Sequence, residues 1–173
     1  VYDRRGSGAS GGDIGASDYA MLADDALAAV RMLKADPRLR EARVGIWGLS
    51  QGGWLSLLAA SRGKDVDFVV SISAPLVTPD IQMMFSSANA LAINGYSSAD
   101  IDKMRATRQA VDDYMRGIGS REDAQRMIDA AKDQPWFGLT YMGTAVSDRA
   151  ISRWRREIEY DPVSTLETVR SPA

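Results

Sequence analysis

Apolar positions along the chain follow two different periods. Over residues 17–34 they recur at Leu22, Ala26, Ala29, Val30 and Leu33, offsets of 0, 4, 7, 8 and 11 that line one face of a helix. Ser17 stands as its N-cap, and Asp36-Pro37 ends it. Two β-branched runs follow, at 43–47 (RVGIW) and 66–73 (VDFVVSIS). Between them an almost wholly apolar stretch, 53–62, predicts a buried helix closed by Gly63 as its C-cap. Val1-Tyr2-Asp3 has the character of a strand tail, and residues 4–16 form a loop rich in Gly, Ser and Ala. Strands alternating with helices imply parallel pairing, so the predicted fold class is α/β.

The pattern changes after Ala74-Pro75. Residues 80–158 carry no strand signal and at least three helical stripes: Ile101, Met104, Val111, Met115 and Ile118; Ala124, Met127, Ile128 and Ala131; Ile151, Trp154 and Ile158. Ser97 with Asp100 and Ser120 with Asp123 have the spacing of capping boxes. Asp161-Pro162 caps one more short helix, and Ser171-Pro172-Ala173 stands where another strand is expected to begin. The expected organisation is therefore a core over 1–78, an all-helical insertion over 79–158, and a return to the core over 159–173.

Composition narrows the chemistry. The chain has 173 residues, 45% of them hydrophobic, and a net charge of −2 with no basic stripe, which argues against a nucleic-acid partner. No apolar run approaches the length of a membrane span, so a soluble protein is expected, cytoplasmic or secreted. Cysteine and histidine are both absent, which excludes disulfides and thiolate chemistry and leaves only carboxylates as metal ligands. No metal or cofactor is expected. The oligomeric state is open, since no heptad seam is visible.

Directly after the first β-branched run comes Gly48-Leu49-Ser50-Gln51-Gly52, the G-x-S-x-G pattern of a serine held on a sharp strand-to-helix turn. Such a turn leaves little room for side chains two residues either side of the serine, which accounts for Gly48 and Gly52. Ser50 is the candidate nucleophile. The amide of Gln51, at the positive end of the following helix, is the candidate oxyanion donor. Three fixed positions recur by accident in about one chain in twenty of this length, and a second copy is present at Gly8-Ala9-Ser10-Gly11-Gly12. That copy follows a charged loop and leads into no helix, so Ser10 is expected in a connection. Gly6-Ser7-Gly8-Ala9-Ser10-Gly11 also spells a dinucleotide-binding G-x-G-x-x-G, but a helix starting only near Ser17 leaves no N-terminus for a pyrophosphate.

The succession of Tyr2-Asp3-Arg4-Arg5-Gly6-Ser7-Gly8-Ala9-Ser10, an amphipathic helix, Gly45-Ile46-Trp47-Gly48-Leu49-Ser50-Gln51-Gly52-Gly53 and a helical insertion resembles the α/β-hydrolase superfamily. The resemblance is greatest to its serine esterase and peptidase branch, which includes prolyl oligopeptidases, dienelactone hydrolases and serine aminopeptidases. It implies that Ser50 is acylated, that Gln51 supplies one oxyanion donor, and that the helical insertion caps the active site. The triad acid and histidine of that pattern come after the cap and therefore beyond Ala173, and the second oxyanion donor before Val1, so the chain reads as an internal fragment that does not turn over alone. A sheet of about three strands would then have unpaired edges and apolar faces open to water.

The implied substrate is a small-molecule carboxylic ester, with a short peptide as the alternative. A non-catalytic ligand-binding protein of the same fold would equally lack histidine. In the insertion, Met83, Met84, Phe85, Trp136, Phe137, Tyr141, Met142 and Trp154 either line an acyl pocket or pack the helices together. Trp54 reads as core, and Asp3, Asp13 and Asp80 are acids that a sheet edge could gather near the serine.

Overall fold

In a computed structural model that describes residues 2–170, the first helix, α1 (Tyr19–Ala35), begins one residue later than its pattern predicts. Asp18, not Ser17, caps it by accepting the orphan Met21 amide at 2.9 Å. Ser17 is instead buried and its hydroxyl donates to the Ile14 carbonyl. The buried face is Tyr19, Leu22, Ala23, Ala26, Leu27 and Val30, which turns Leu33 out to solvent. Apolar residues occupy more than one side of this helix, and packing selects the stripe through Ala23 and Leu27.

Strand β1 (Ile46–Leu49) pairs in parallel with β2 (Val69–Ile72), with Ile46 opposite Val69 and Leu49 opposite Ile72. Both strands are shorter than predicted at their N-terminal sides. There the Asp67 carboxylate accepts the Val44 amide at 2.7 Å and the Lys34 ammonium at 2.8 Å, so a side chain replaces part of the ladder. Helix α2 (Gln51–Arg62) starts two residues before the predicted 53. Its C-cap Gly63 is extended, at φ −139°, so glycine is not needed there for handedness. It is needed for space, because a Cβ would lie 2.6 Å from Leu27 Cδ2. Helix α2 packs against α1, both strands and a helix late in the chain, Pro162–Thr168, capped by Asp161 as expected. Val30, Leu57, Val66 and Val69 lie in the core of this first unit, which runs to Val77 and resumes at Asp161.

The described sheet has two strands, not three. Tyr2 and Asp3 form no strand, Val1 lies outside the described residues, and so does the strand expected near Ser171. The face of the sheet away from α2 is apolar and open: Trp47 is 62% exposed, Leu49 52%, Val70 41% and Ile72 40%. Parallel sheets are ordinarily covered on both faces, so this surface is one that the fold type buries.

The second unit, Thr78–Tyr160, is helical. Its first helix, α3 (Pro79–Ile93), has no clean period, since only Pro79, Ser87 and Leu91 are buried while Ile81, Phe85 and Ile93 face out. Helix α4 (Ser98–Arg116) carries both arms of the predicted Ser97/Asp100 capping box and ends at Gly117, whose φ of 81° suits glycine. Helix α5 (Arg121–Ala131) is capped by Ser120, and α6 (Arg153–Glu157) is shorter than its 151–158 stripe. The late helix Pro162–Thr168 is α7. Leu91, Met104, Ile128, Trp136 and Ile158 form the centre of the second core. No described helix is long and apolar enough to cross a membrane.

Asp80 belongs to this unit, paired with Arg116 at 2.5 Å. Burial pushes its carboxyl up, but hydrogen bonds from Thr78 and Arg116 outweigh burial and hold it below the ordinary carboxylate range. Its contribution to stability is complete above the unfolded-state pKa and lost as pH falls through the depressed folded value. Asp80→Asn is therefore expected to lower Tm at neutral pH and to shrink that deficit below about pH 4. A Tm difference that stays constant from pH 7 to pH 3 would show that the ionised pair contributes nothing.

Candidate active site

Ser50 links the end of β1 to the start of α2 with backbone angles φ 53° and ψ −121°. A non-glycine residue held there costs on the order of 1–3 kcal/mol, and surrounding structure must supply it. The Ser50 amide donates to the Ile72 carbonyl at 2.8 Å, and the Ser50 carbonyl accepts the Gly53 amide at 2.8 Å. The serine is thus bonded to the end of the neighbouring strand on one side and to the first turn of its own helix on the other. Its side chain is exposed, and no described residue hydrogen-bonds to its Oγ.

The glycines around it differ from expectation. A Cβ at Gly48 would lie 2.0 Å from the Gly52 carbonyl oxygen and 2.3 Å from its carbon. At Gly53 it would lie 2.6 Å from both Ala74 Cβ and Ser71 Oγ. At Gly52 it would meet nothing within 4 Å. The steric reason given for Gly52 is corrected: the close approaches are at Gly48 and Gly53, and Gly52 takes part through its backbone alone.

Gln51 is the first residue of α2, where an amide N–H has no acceptor within the helix and lies at the positive end of the dipole. Its side chain is held from two sides. Arg4 Nη1 donates to its Oε1, and its Nε2 donates to the Tyr19 hydroxyl, each at 3.3 Å. The Tyr19 ring packs against Trp54 with centroids 6.0 Å apart. Trp54 is buried and its indole N–H donates to the Pro75 carbonyl at 2.5 Å. Arg4 and Tyr19 hold the Gln51 side chain through contacts that sequence reasoning did not find, because they stand 47 and 32 residues from Gln51 and belong to no shared motif.

The loop that carries Arg4 is built from its own side chains. Arg5 makes two hydrogen bonds to Asp25 of α1, at 2.6 and 2.5 Å. The Asp3 carboxylate accepts the Ala9 amide at 2.8 Å, and the Ser10 hydroxyl donates to the Asp3 carbonyl at 2.7 Å. Gly6, Gly8 and Gly12 have positive φ, so this run is a sequence of turns, and no helix begins until Tyr19. Ser10 lies within these turns. Asp13 accepts the Gly15 amide at 2.7 Å, while Asp80 is committed to Thr78 and Arg116. Among the described residues neither Asp3 nor Asp13, the two candidate acids of this unit, hydrogen-bonds to Ser50.

The aromatic and methionine residues of the helical unit divide. Trp136 and Phe137 are buried in its core, Met84 packs on that core, and Phe85 is exposed. Met83, Tyr141, Met142 and Trp154 border a cavity within the unit. No cluster of three described His, Cys, Asp or Glu side chains has metal-binding geometry.

A family model described as BAAT / Acyl-CoA thioester hydrolase C terminal matches residues 27–146, a stretch that contains β1, the Ser50 turn and α2. A polyketide transferase, grgF, of a Penicillium species is 38% identical over 81 residues, which is 44% of this chain and 26% of that protein. The chain spans about a quarter of the length of this curated relative. No solved structure matches.

Proposed function

The chain belongs to the BAAT / acyl-CoA thioester hydrolase C-terminal family, of α/β-hydrolase type, and from that premise we propose that it carries the nucleophile elbow of a serine acyl hydrolase. The observation that carries this reading is the backbone of Ser50, kept at φ 53° between a parallel strand and a helix N-terminus with its side chain exposed.

In the proposed reaction, Ser50 Oγ attacks the carbonyl carbon of a carboxylic ester or thioester as a base takes its proton. The carbonyl oxygen becomes an oxyanion, and the Gln51 N–H donates to it at the helix end. The carbon–oxygen or carbon–sulfur bond then breaks, and the same proton goes to the leaving alcohol or thiol. Water repeats the sequence on the acyl-enzyme, releasing a carboxylic acid and restoring Ser50. No histidine occurs in these 173 residues, so in this proposal the base is supplied from outside them. Thioesters join esters as substrates because of the family description, while the polyketide transferase relative favours a second reading, in which an acceptor other than water takes the acyl group.

A fluorophosphonate probe tests the nucleophile without a substrate being known. Intact-mass spectrometry of the labelled protein is expected to show one adduct, and peptide mapping to place it on Ser50. A folded, full-length protein that takes no label, or takes it at another serine, would remove the basis of the proposal.

A further inference from the structure

We infer that the helical unit itself binds a small apolar carboxylate, with its tail in the cavity between α4, α5 and the 141–147 segment and its carboxylate on Arg108. This goes beyond the reaction proposed for Ser50 and does not depend on it.

The cavity measures about 240 Å³, and Met83, Val111, Met115, Ile128, Met142 and Val146 give it apolar walls. An alkyl chain gains by leaving solvent for apolar walls of this kind. Three of the six walls are methionine, whose unbranched thioethers adapt to the shape of a guest.

One wall residue is of the opposite kind. Arg108 is only 5% exposed, and its Nη2 donates to the Thr140 carbonyl and, at 3.4 Å, to Ser87 Oγ. Its Nε is buried with no hydrogen-bond partner, and no described carboxylate forms an ion pair with it. The acid one turn along, Asp112, is buried and accepts the Trp154 indole N–H at 2.7 Å. Burial pushes the Asp112 carboxyl above its ordinary range, against the pull of Trp154 and Arg108. A buried guanidinium that lines an apolar pocket and has no carboxylate partner suits an anion with an apolar tail. The segment along the cavity also carries the unit's non-glycine residue of positive φ, Tyr141 at 58°, which is 78% exposed, and backbone strain of this kind gathers at ligand sites.

Sodium octanoate is the probe, titrated calorimetrically into the folded protein, with octan-1-ol as its neutral counterpart. One saturable octanoate site is expected, with octan-1-ol weaker by about tenfold or more, the range of a charge-assisted hydrogen bond. Arg108→Met should weaken octanoate by a similar factor. Since Arg108 also ties Thr140 and Ser87, Val111→Phe is the second variant: it fills the cavity, leaves Arg108 in place and should also abolish binding while Tm stays near wild type. Ser50→Ala should bind octanoate as the wild type does. The inference is overturned if wild-type protein shows no saturable octanoate binding, if octan-1-ol binds equally well, or if folded Val111→Phe retains full affinity. Binding lost in Ser50→Ala but kept in Val111→Phe would place the ligand at the elbow and overturn it too. Absent octanoate binding with a Ser50 fluorophosphonate adduct would leave the hydrolase proposal standing.

Discussion

Ser50→Ala is expected to lower kcat for thioester and ester hydrolysis by roughly 10³-fold or more, with KM little changed. The reasoning is local. Removing the hydroxyl removes the atom that forms the acyl bond, while the methyl group fits the same backbone, so the oxyanion donor and binding surfaces remain. Ser10→Ala is the paired control, since it satisfies the same five-residue pattern. Its hydroxyl bonds to the Asp3 carbonyl in a loop of turns, and its loss should change kcat by no more than about threefold, the cost of one exposed hydrogen bond. The readout is kcat and KM on a short-chain acyl thioester and a p-nitrophenyl ester, using the full-length protein. Equal losses in the two mutants would mean that the nucleophile has been assigned to the wrong serine.

Gly48→Ala is the second large effect, and it acts on folding. The new Cβ would overlap the Gly52 carbonyl at 2.0 Å, and that carbonyl is backbone in the first turn of α2, not the far end of a flexible side chain. Relief requires β1 and α2 to separate, which undoes the bond from the Ser50 amide to Ile72 and opens the packing of Leu57 against the strands. A loss of about 3 kcal/mol or more is expected, from overpacking and displaced backbone together. Gly52→Ala supplies the contrast. Its Cβ would enter open space and alanine is the better helix former, so stability should change by no more than about 1 kcal/mol, in the stabilising direction if at all. Urea unfolding of both variants measures the difference. If Gly52→Ala were as damaging as Gly48→Ala, the close contact at Gly48 would not be the reason for this glycine.

Both predictions turn on detail that the motif conveys only in part. The pattern G-x-S-x-G locates Ser50 and its strand-to-helix setting because every interaction that makes the turn lies within a few residues. It treats the two glycines as equivalent. They are not, because Gly48 faces backbone while Gly52 faces outward, and Gly53, outside the pattern, meets Ala74 and Ser71 of a segment about twenty residues on.

By itself the sequence determined what short-range interactions determine. The α/β alternation, the caps at Ser97, Ser120 and Asp161, the end of α1 at Asp36 and the position of the candidate nucleophile all follow from groups within about four residues of each other. Tertiary structure decided the rest. It chose which stripe of α1 is buried, formed α3 from a stretch apolar on every side, trimmed both strands where Asp67 captures the Val44 amide, and set Arg4 and Tyr19 on either side of Gln51. It also left Arg108 buried, without a carboxylate partner, on the wall of an apolar pocket, which no count of residues along the chain reveals. The physical reason is the same throughout. A hydrogen bond within one turn is written in local spacing, whereas a contact between distant residues exists only once packing has chosen which surfaces meet.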